Sequence, residues 1–273
     1  MPEPPSPGAR VPMTDRILAE KRDGVGTLTV NNPERRNAVS LEMWRAAEAV
    51  LVDFRDDPGV RVVVVTGAGG RAFVSGADIS KFDSERATAE AVAAYGAQTE
   101  RVYALLHGFP KPTIAEIHGA CVGGGVALAV CCDLRFCAEE SRFGIPAARL
   151  GLGYGLRGMK RLADVVGPAF AKEMLFTARL FSAAEAHHMG LVNGVLPDAE
   201  LGPHVAACAA TIAGNAPLTI AAAKRALDEA MKDESERDVA AVEAMVEACF
   251  ASEDYAEGRR AFLEKRPPVF RGR

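Results

Sequence analysis

Arg61-Val62-Val63-Val64-Val65-Thr66 is a run of β-branched residues with no turn former inside it. Such side chains hold χ1 stiffly and suit a pleated strand. Successive strand side chains point to opposite faces, so an unbroken apolar run must be covered on both. That demands helices above and below a mostly parallel sheet, which is an α/β fold. The 273 residues suffice for one large domain, or one domain with a smaller appendage.

The flanking sequence supplies the other layers. Two short strands, 15–20 and 26–31, surround a hairpin turn at Asp23-Gly24. Ser40 caps a helix whose apolar face carries Leu41, Trp44, Val50, Leu51 and Phe54, and Asp57-Pro58-Gly59 stops it. A Gly-rich segment from Gly67 to Asp78 precedes an Ala-rich helix spanning 86–107. Pro110 and Pro112 break that helix before a strand at 113–118, a short buried helix at 123–131 and a strand at 134–137. Ser182 to Glu185 has the spacing of a capping box. From Asp198 the pattern is helical to about 264, punctuated at 214–217, 233–235 and 252. We therefore divide the chain into a disordered tail (1–13), an α/β core (14–197) and a C-terminal helical region (198–273).

Composition excludes several classes of function. Lys and Arg number 32 against 36 Asp and Glu, giving a net charge of -4. Binding to nucleic acid or to an anionic membrane needs clustered positive charge, so neither partner is expected. The tail carries five prolines and no apolar run, unlike a signal peptide. The longest uncharged apolar run, 120–132, is too short to span a bilayer. The six cysteines form no CxxC pair and read as reduced thiols of a cytoplasmic protein. His187 and His188 are adjacent in a helix and point apart, and Cys131, Cys132 and Cys137 read as core, so no metal site is expected.

Two glycine clusters invite a dinucleotide reading: Gly67 to Ala72 fits GxGxxA, and Gly153 to Gly158 fits GxGxxG. Such a loop must join a strand to a helix that faces the pyrophosphate. Ala72-Phe73-Val74-Ser75 starts no helix after the first cluster, and no good strand precedes the second. A nicotinamide-dependent oxidoreductase is the weakest of the readings.

A stronger signal comes from two segments read together, Ala72 to Ile79 and His118 to Leu128. The glycine run 123–125 precedes a helix, whose first N–H groups are unpaired and carry the positive end of the dipole. Gly124 then offers one N–H, and the loop at Gly76-Ala77 offers a second. Two donors aimed at one developing oxyanion stabilise it by roughly 3–4 kcal/mol each.

These segments make the chain resemble the crotonase, or enoyl-CoA hydratase/isomerase, superfamily over about residues 14–270. Asn32-Pro33-Glu34-Arg35-Arg36-Asn37-Ala38-Val39-Ser40 is similar to the family's NRPxxxNAL segment. Ser75-Gly76-Ala77-Asp78-Ile79, Gly119 to Gly125 with Cys132-Asp133, and Phe143-Gly144-Ile145-Pro146 follow in order. The resemblance implies a spiral of ββα units followed by C-terminal helices that build trimers, often paired into hexamers. It implies an acyl-CoA thioester as partner, with coenzyme A as carrier and no other cofactor. Ala77 and Gly124 would form the oxyanion hole. Arg36 to Ala38 would line the CoA nucleotide site, with Ser75, Asp78 and Ile79 near adenine and pantetheine. Phe262 and Lys265 would reach CoA from a neighbouring subunit.

The chain departs from its family where hydration is performed. Family hydratases add water with two glutamates; the positions that match are Ala127 and Ala147. A methyl group neither accepts nor donates a proton. The further carboxylate of some dienoyl isomerases would match Gly155. Tyr154 is the remaining polar candidate; Glu116, Arg149 and Arg157 are weaker ones. Decarboxylase- or isomerase-like chemistry is therefore expected rather than standard hydration. The alternative is a non-catalytic acyl-CoA binding or regulatory subunit.

Overall fold

The computed structural model describes residues 14–273 apart from 82–84 and 86. The expected tail and the first residue of the expected 86–107 helix lie outside the described residues. The hairpin is present as β1 (Ile17–Arg22) and β2 (Val25–Val30), antiparallel, with Ile17 opposite Val30. Helix α1 (Leu41–Asp56) starts where Ser40 accepts a bond from the Met43 N–H. The valine run is β3 (Val62–Gly67).

The Gly-rich segment holds a strand that its composition hides, β4 (Ala72–Val74). Helix α2 (Ala89–His107) follows, capped by Thr88. Next come β5 (Thr113–Ile117), β6 (Ala120–Val122), α3 (Gly124–Ala129), β7 (Leu134–Ala138) and β8 (Arg142–Gly144). Helix α4 (Leu156–Thr177) is kinked at Gly167, whose φ is 75, and Pro168 begins its second half. After β9 (Phe181–Ser182), the expected capping box opens α5 (Ala183–His188), and β10 (Gly194–Leu196) ends the α/β part.

Strands of two sheets alternate along the chain. One sheet has the order β1-β2-β3-β5-β7-β10, parallel except for the hairpin. The other has the order β4-β6-β8-β9, with β8 and β9 antiparallel. The chain therefore makes one strand in each sheet and then a helix, three times over, in β3-β4-α2, β5-β6-α3 and β7-β8-α4. That is the spiral of ββα units.

β3 is covered on both faces, as its sequence requires. Val63 and Val65 pack in the larger core with Leu51, Phe54 and Leu106. Val62 and Val64 pack with Leu201, Val205 and Ala209 of α6 (Asp198–Gly214). Full burial of one such side chain stabilises the fold by about 1.5–3 kcal/mol. Helix α6 thus belongs to the sheet's cover. The helices that stand apart from the sheet begin with α7 (Pro217–Ala230), followed by α8 (Val239–Ala251) and α9 (Glu253–Glu264). Among the described residues no single helix is long and apolar enough to cross a membrane.

Candidate active site

The two glycine segments meet. Gly76 has a φ of 110, a conformation that side-chain-bearing residues rarely adopt. Its Cα lies 3.7 Å from the position a Cβ on Gly124 would take. Gly125 is fixed more severely: a Cβ there would stand 2.0 Å from the Val74 carbonyl oxygen. Only glycine lets α3 start this close to β4.

The directions of the two donor groups follow from their anchored carbonyls. The Gly76 carbonyl accepts the Val39 N–H at 2.9 Å. A trans peptide points its C=O and N–H in opposite directions, so the Ala77 N–H faces away from Val39. The Gly123 carbonyl accepts the Ala127 N–H at 3.2 Å inside the helix, so the Gly124 N–H points out of the helix N-terminus. Two N–H groups on adjoining loops, each fastened from behind, can receive one oxyanion.

Asn37 holds the loops together. Its carboxamide oxygen accepts the Asn32 N–H at 2.9 Å, and its nitrogen donates to the carbonyls of Ala68 and Ala72 at 2.9 and 2.6 Å. It is fully buried, and Ala38 is buried beside it. The Arg36 carbonyl accepts the Ser75 N–H at 3.2 Å. Asp78 is buried, and burial alone would raise its pKa. The Ser80 hydroxyl and N–H and the Arg35 guanidinium outweigh that and hold it below the ordinary carboxylate range. Ile79 opens the short 3-10 turn that follows.

Beyond the glycine loops lies a cleft of about 540 Å³. Ala127 and Tyr154 both line it. The Tyr154 hydroxyl oxygen is 3.8 Å from where a Cβ on Gly123 would be, so the structure brings this tyrosine to the glycine loop. Ala147 is buried in the core, in the 3-10 turn that Pro146 opens. Glu116 also stands elsewhere, with its carboxylate 3.1 Å from the His118 ring.

Other lining residues were not read from the sequence. Tyr103 of α2 donates to the Gly124 carbonyl at 3.1 Å, and burial pushes its pKa up, so it stays a protonated donor. Glu100 of α2 takes a two-pronged contact from Arg161 of α4, at 3.1 and 2.7 Å. Their i, i+3 spacing puts Glu100 and Tyr103 on one face of α2, which is a signal the sequence held.

Phe262 and Lys265 do not join this cleft within one chain. Phe262 lines a separate apolar groove of about 880 Å³ among α7, α8 and α9, with Phe250, Leu263 and Phe270. Lys265 is the left-handed C-cap of α9.

The sequence profile of the enoyl-CoA hydratase/isomerase family matches residues 20–273. The chain belongs to that family. It is 36% identical to the crotonyl-CoA hydratase of Syntrophomonas wolfei, over 94% of this chain and 98% of that one. It is 34% identical to the short-chain-enoyl-CoA hydratase of Clostridium acetobutylicum, over 92% and 96%. The crystal structure of an enoyl-CoA hydratase/carnithine racemase from Magnetospirillum magneticum superposes with a TM-score of 0.86 at 36% identity, covering 96% of this chain and 97% of the other. Crotonase-superfamily membership and the crotonase fold therefore stand. Within this enoyl-CoA hydratase/isomerase family chain, Ala127 gives the cleft a methyl group at a position where the resemblance implies a carboxylate.

Proposed function

We propose that the chain binds an acyl-CoA thioester, seats its carbonyl oxygen between the Ala77 and Gly124 N–H groups, and stabilises there the enolate formed when a bond at Cα breaks, in a reaction other than standard hydration. The observation that carries this reading is the pairing of two rear-anchored N–H donors with Ala127 on the adjoining cleft wall. The donors stabilise an enolate, and the methyl moves no proton. Loss of CO2 from a malonyl-type thioester asks least of such a wall. The bond from Cα to the carboxylate breaks, its electron pair enters the enolate, and CO2 departs. A proton then reaches Cα from the Tyr154 hydroxyl or from water.

Crotonyl-CoA hydration should be negligible, read as persistence of the conjugated enoyl absorbance. Turnover near that of ordinary hydratases would sink the proposal. Mass spectrometry over enoyl-, malonyl- and β-hydroxyacyl-CoA then identifies the reaction. Saturable binding with no product from any of them would support the binding-subunit alternative.

We also propose assembly as a homotrimer or a pair of trimers, supported by the exposed Phe250, Phe262 and Leu263 along the α7–α9 groove. In an assembly of that kind Phe262 and Lys265 are free to serve a neighbour's CoA. Light scattering reads the mass directly, and a lone 28.8 kDa species would refute it.

A further inference from the structure

The far wall of the cleft is cationic, and its charges sit where a helix least tolerates them. Gly155 is the N-cap of α4 and supplies no side chain to its first N–H groups. No acidic residue occupies that first turn, where Asp or Glu would answer the positive end of the dipole. Arg157 stands there instead, and Arg161 follows one turn later on the same face. Like charges at i and i+4 repel, so the arrangement costs the helix stability twice.

One carboxylate answers both guanidinium groups. Glu100 is engaged by Arg161, which is buried. Arg157 reaches only to 3.9 Å from the same carboxylate, beyond hydrogen-bond range, and its side chain is 79% exposed. Two cations against one anion leave the charged lining of the cleft at about +1, with the helix N-terminus adding to it. The remainder of the lining includes Ala127, Val130 and Leu156 beside Tyr103 and Tyr154. A neutral aliphatic chain gains nothing from the guanidinium groups and would strip water from them.

We infer that this cleft selects acyl groups carrying a second, free carboxylate, bound by Arg157 and the first-turn N–H groups of α4. The inference rests on the acyl-CoA reading above and names the substrate class of that same site. Guanidinium and carboxylate match in shape as well as charge. The placement at Ala127 and Tyr154, beside the glycine loop, puts the anion site on the acyl side of the thioester. A CoA phosphate is the competing anion.

Titration calorimetry of the full chain with succinyl-CoA, butyryl-CoA and free CoA separates these sources. Succinyl-CoA serves as the probe because its carboxylate, one carbon further out, does not leave as CO2 through the enolate. Succinyl-CoA should bind about tenfold more tightly than butyryl-CoA, the scale of one charge-assisted contact. Arg157→Gln, at an exposed position, should shrink that ratio to about twofold or less and spare the other two ligands. Glu100→Gln should widen the ratio by releasing Arg161, a change of sign that a merely structural role would not produce. Equal affinity of the two esters for the unmodified chain overturns the inference. So does an Arg157→Gln loss shared equally by all three ligands, which points to a phosphate. Failure of all three to bind removes the acyl-CoA reading itself.

Discussion

The two sides of the cleft are made of different material. On one side the chemistry is in the main chain: the N–H groups of Ala77 and Gly124, each with its neighbouring carbonyl fastened to Val39 or Ala127. On the other it is in side chains: Tyr154, Glu100, Arg157 and Arg161, drawn from the α4 entry loop, α2 and α4. Main-chain groups survive most substitutions, whereas one substitution removes a side-chain function outright. The difference teaches where a family can change its reaction. The glycine side needs only its backbone path, so the side chains that line the cleft, Ala127 of α3 among them, are free to change the reaction.

The comparison breaks most completely at Gly125. Gly125→Ala pushes a methyl into the Val74 carbonyl, 2.0 Å away, so α3 must leave β4. We expect a loss of about 3 kcal/mol in denaturant unfolding, together with loss of CoA ester binding. Retention of both would show that the glycine loop is not set by this contact.

Ala127→Glu sharpens the contrast by adding a side-chain function on α3, the helix that also supplies the Gly124 N–H. It puts a carboxylate into the cleft and leaves the two N–H donors in place. Crotonyl-CoA hydration should rise on the order of 10²-fold above background, the lower end of what one acid–base group supplies. No rise would place the catalytic deficit outside this position.

The smallest effect tests how the glycine side is tied to the rest of the sheet. His118, just ahead of Gly119, lies 2.6 Å from Asp198 at the start of α6 and 3.1 Å from Glu116. The Glu116 contact first, against the cost of burial, and then the Asp198 contact raise its pKa to about 9. A pKa raised by folding stabilises the native state fully below the unfolded value near 6.5. That contribution is lost as pH climbs through about 9. We expect on the order of 1–2 kcal/mol to disappear across that window after allowance for solvent screening. His118→Gln should flatten the slope of stability against pH between 6.5 and 9; an unchanged slope would reject the clasp.

Legibility in the sequence followed the range of the interactions. The hairpin, the Ser40 cap, the Ser182 capping box and the valine strand are written within a few neighbouring residues; both caps are found where expected, and the strands begin and end within two residues of their expected bounds. The three-residue strands β4, β6 and β8 are too short for an alternation to be visible, and two of them are masked by glycine-rich surroundings. They exist because β6 pairs with β4 on one side and β8 on the other in the second sheet. The role of α6 as a sheet cover was hidden for the same reason, since Val62 and Leu201 meet only in the fold. The Glu100–Arg161 pair spans 61 residues and two helices. The glycine segments were legible because each needs a conformation or a clearance that only one residue type supplies, as at Gly76 and Gly125.

The rear fastening of the Gly76 peptide has a consequence for how such a chain drifts over generations. A hydrogen whose direction is dictated by an oxygen bonded on the opposite edge of the same rigid plate is untouched by any side-chain change short of proline, which carries no N–H. Otherwise it is lost only with the loop itself. Descendants can therefore try new residues along the cleft one at a time, each trial made with both N–H directions already set. A relative of unfamiliar activity is best read from the side chains that line its cleft.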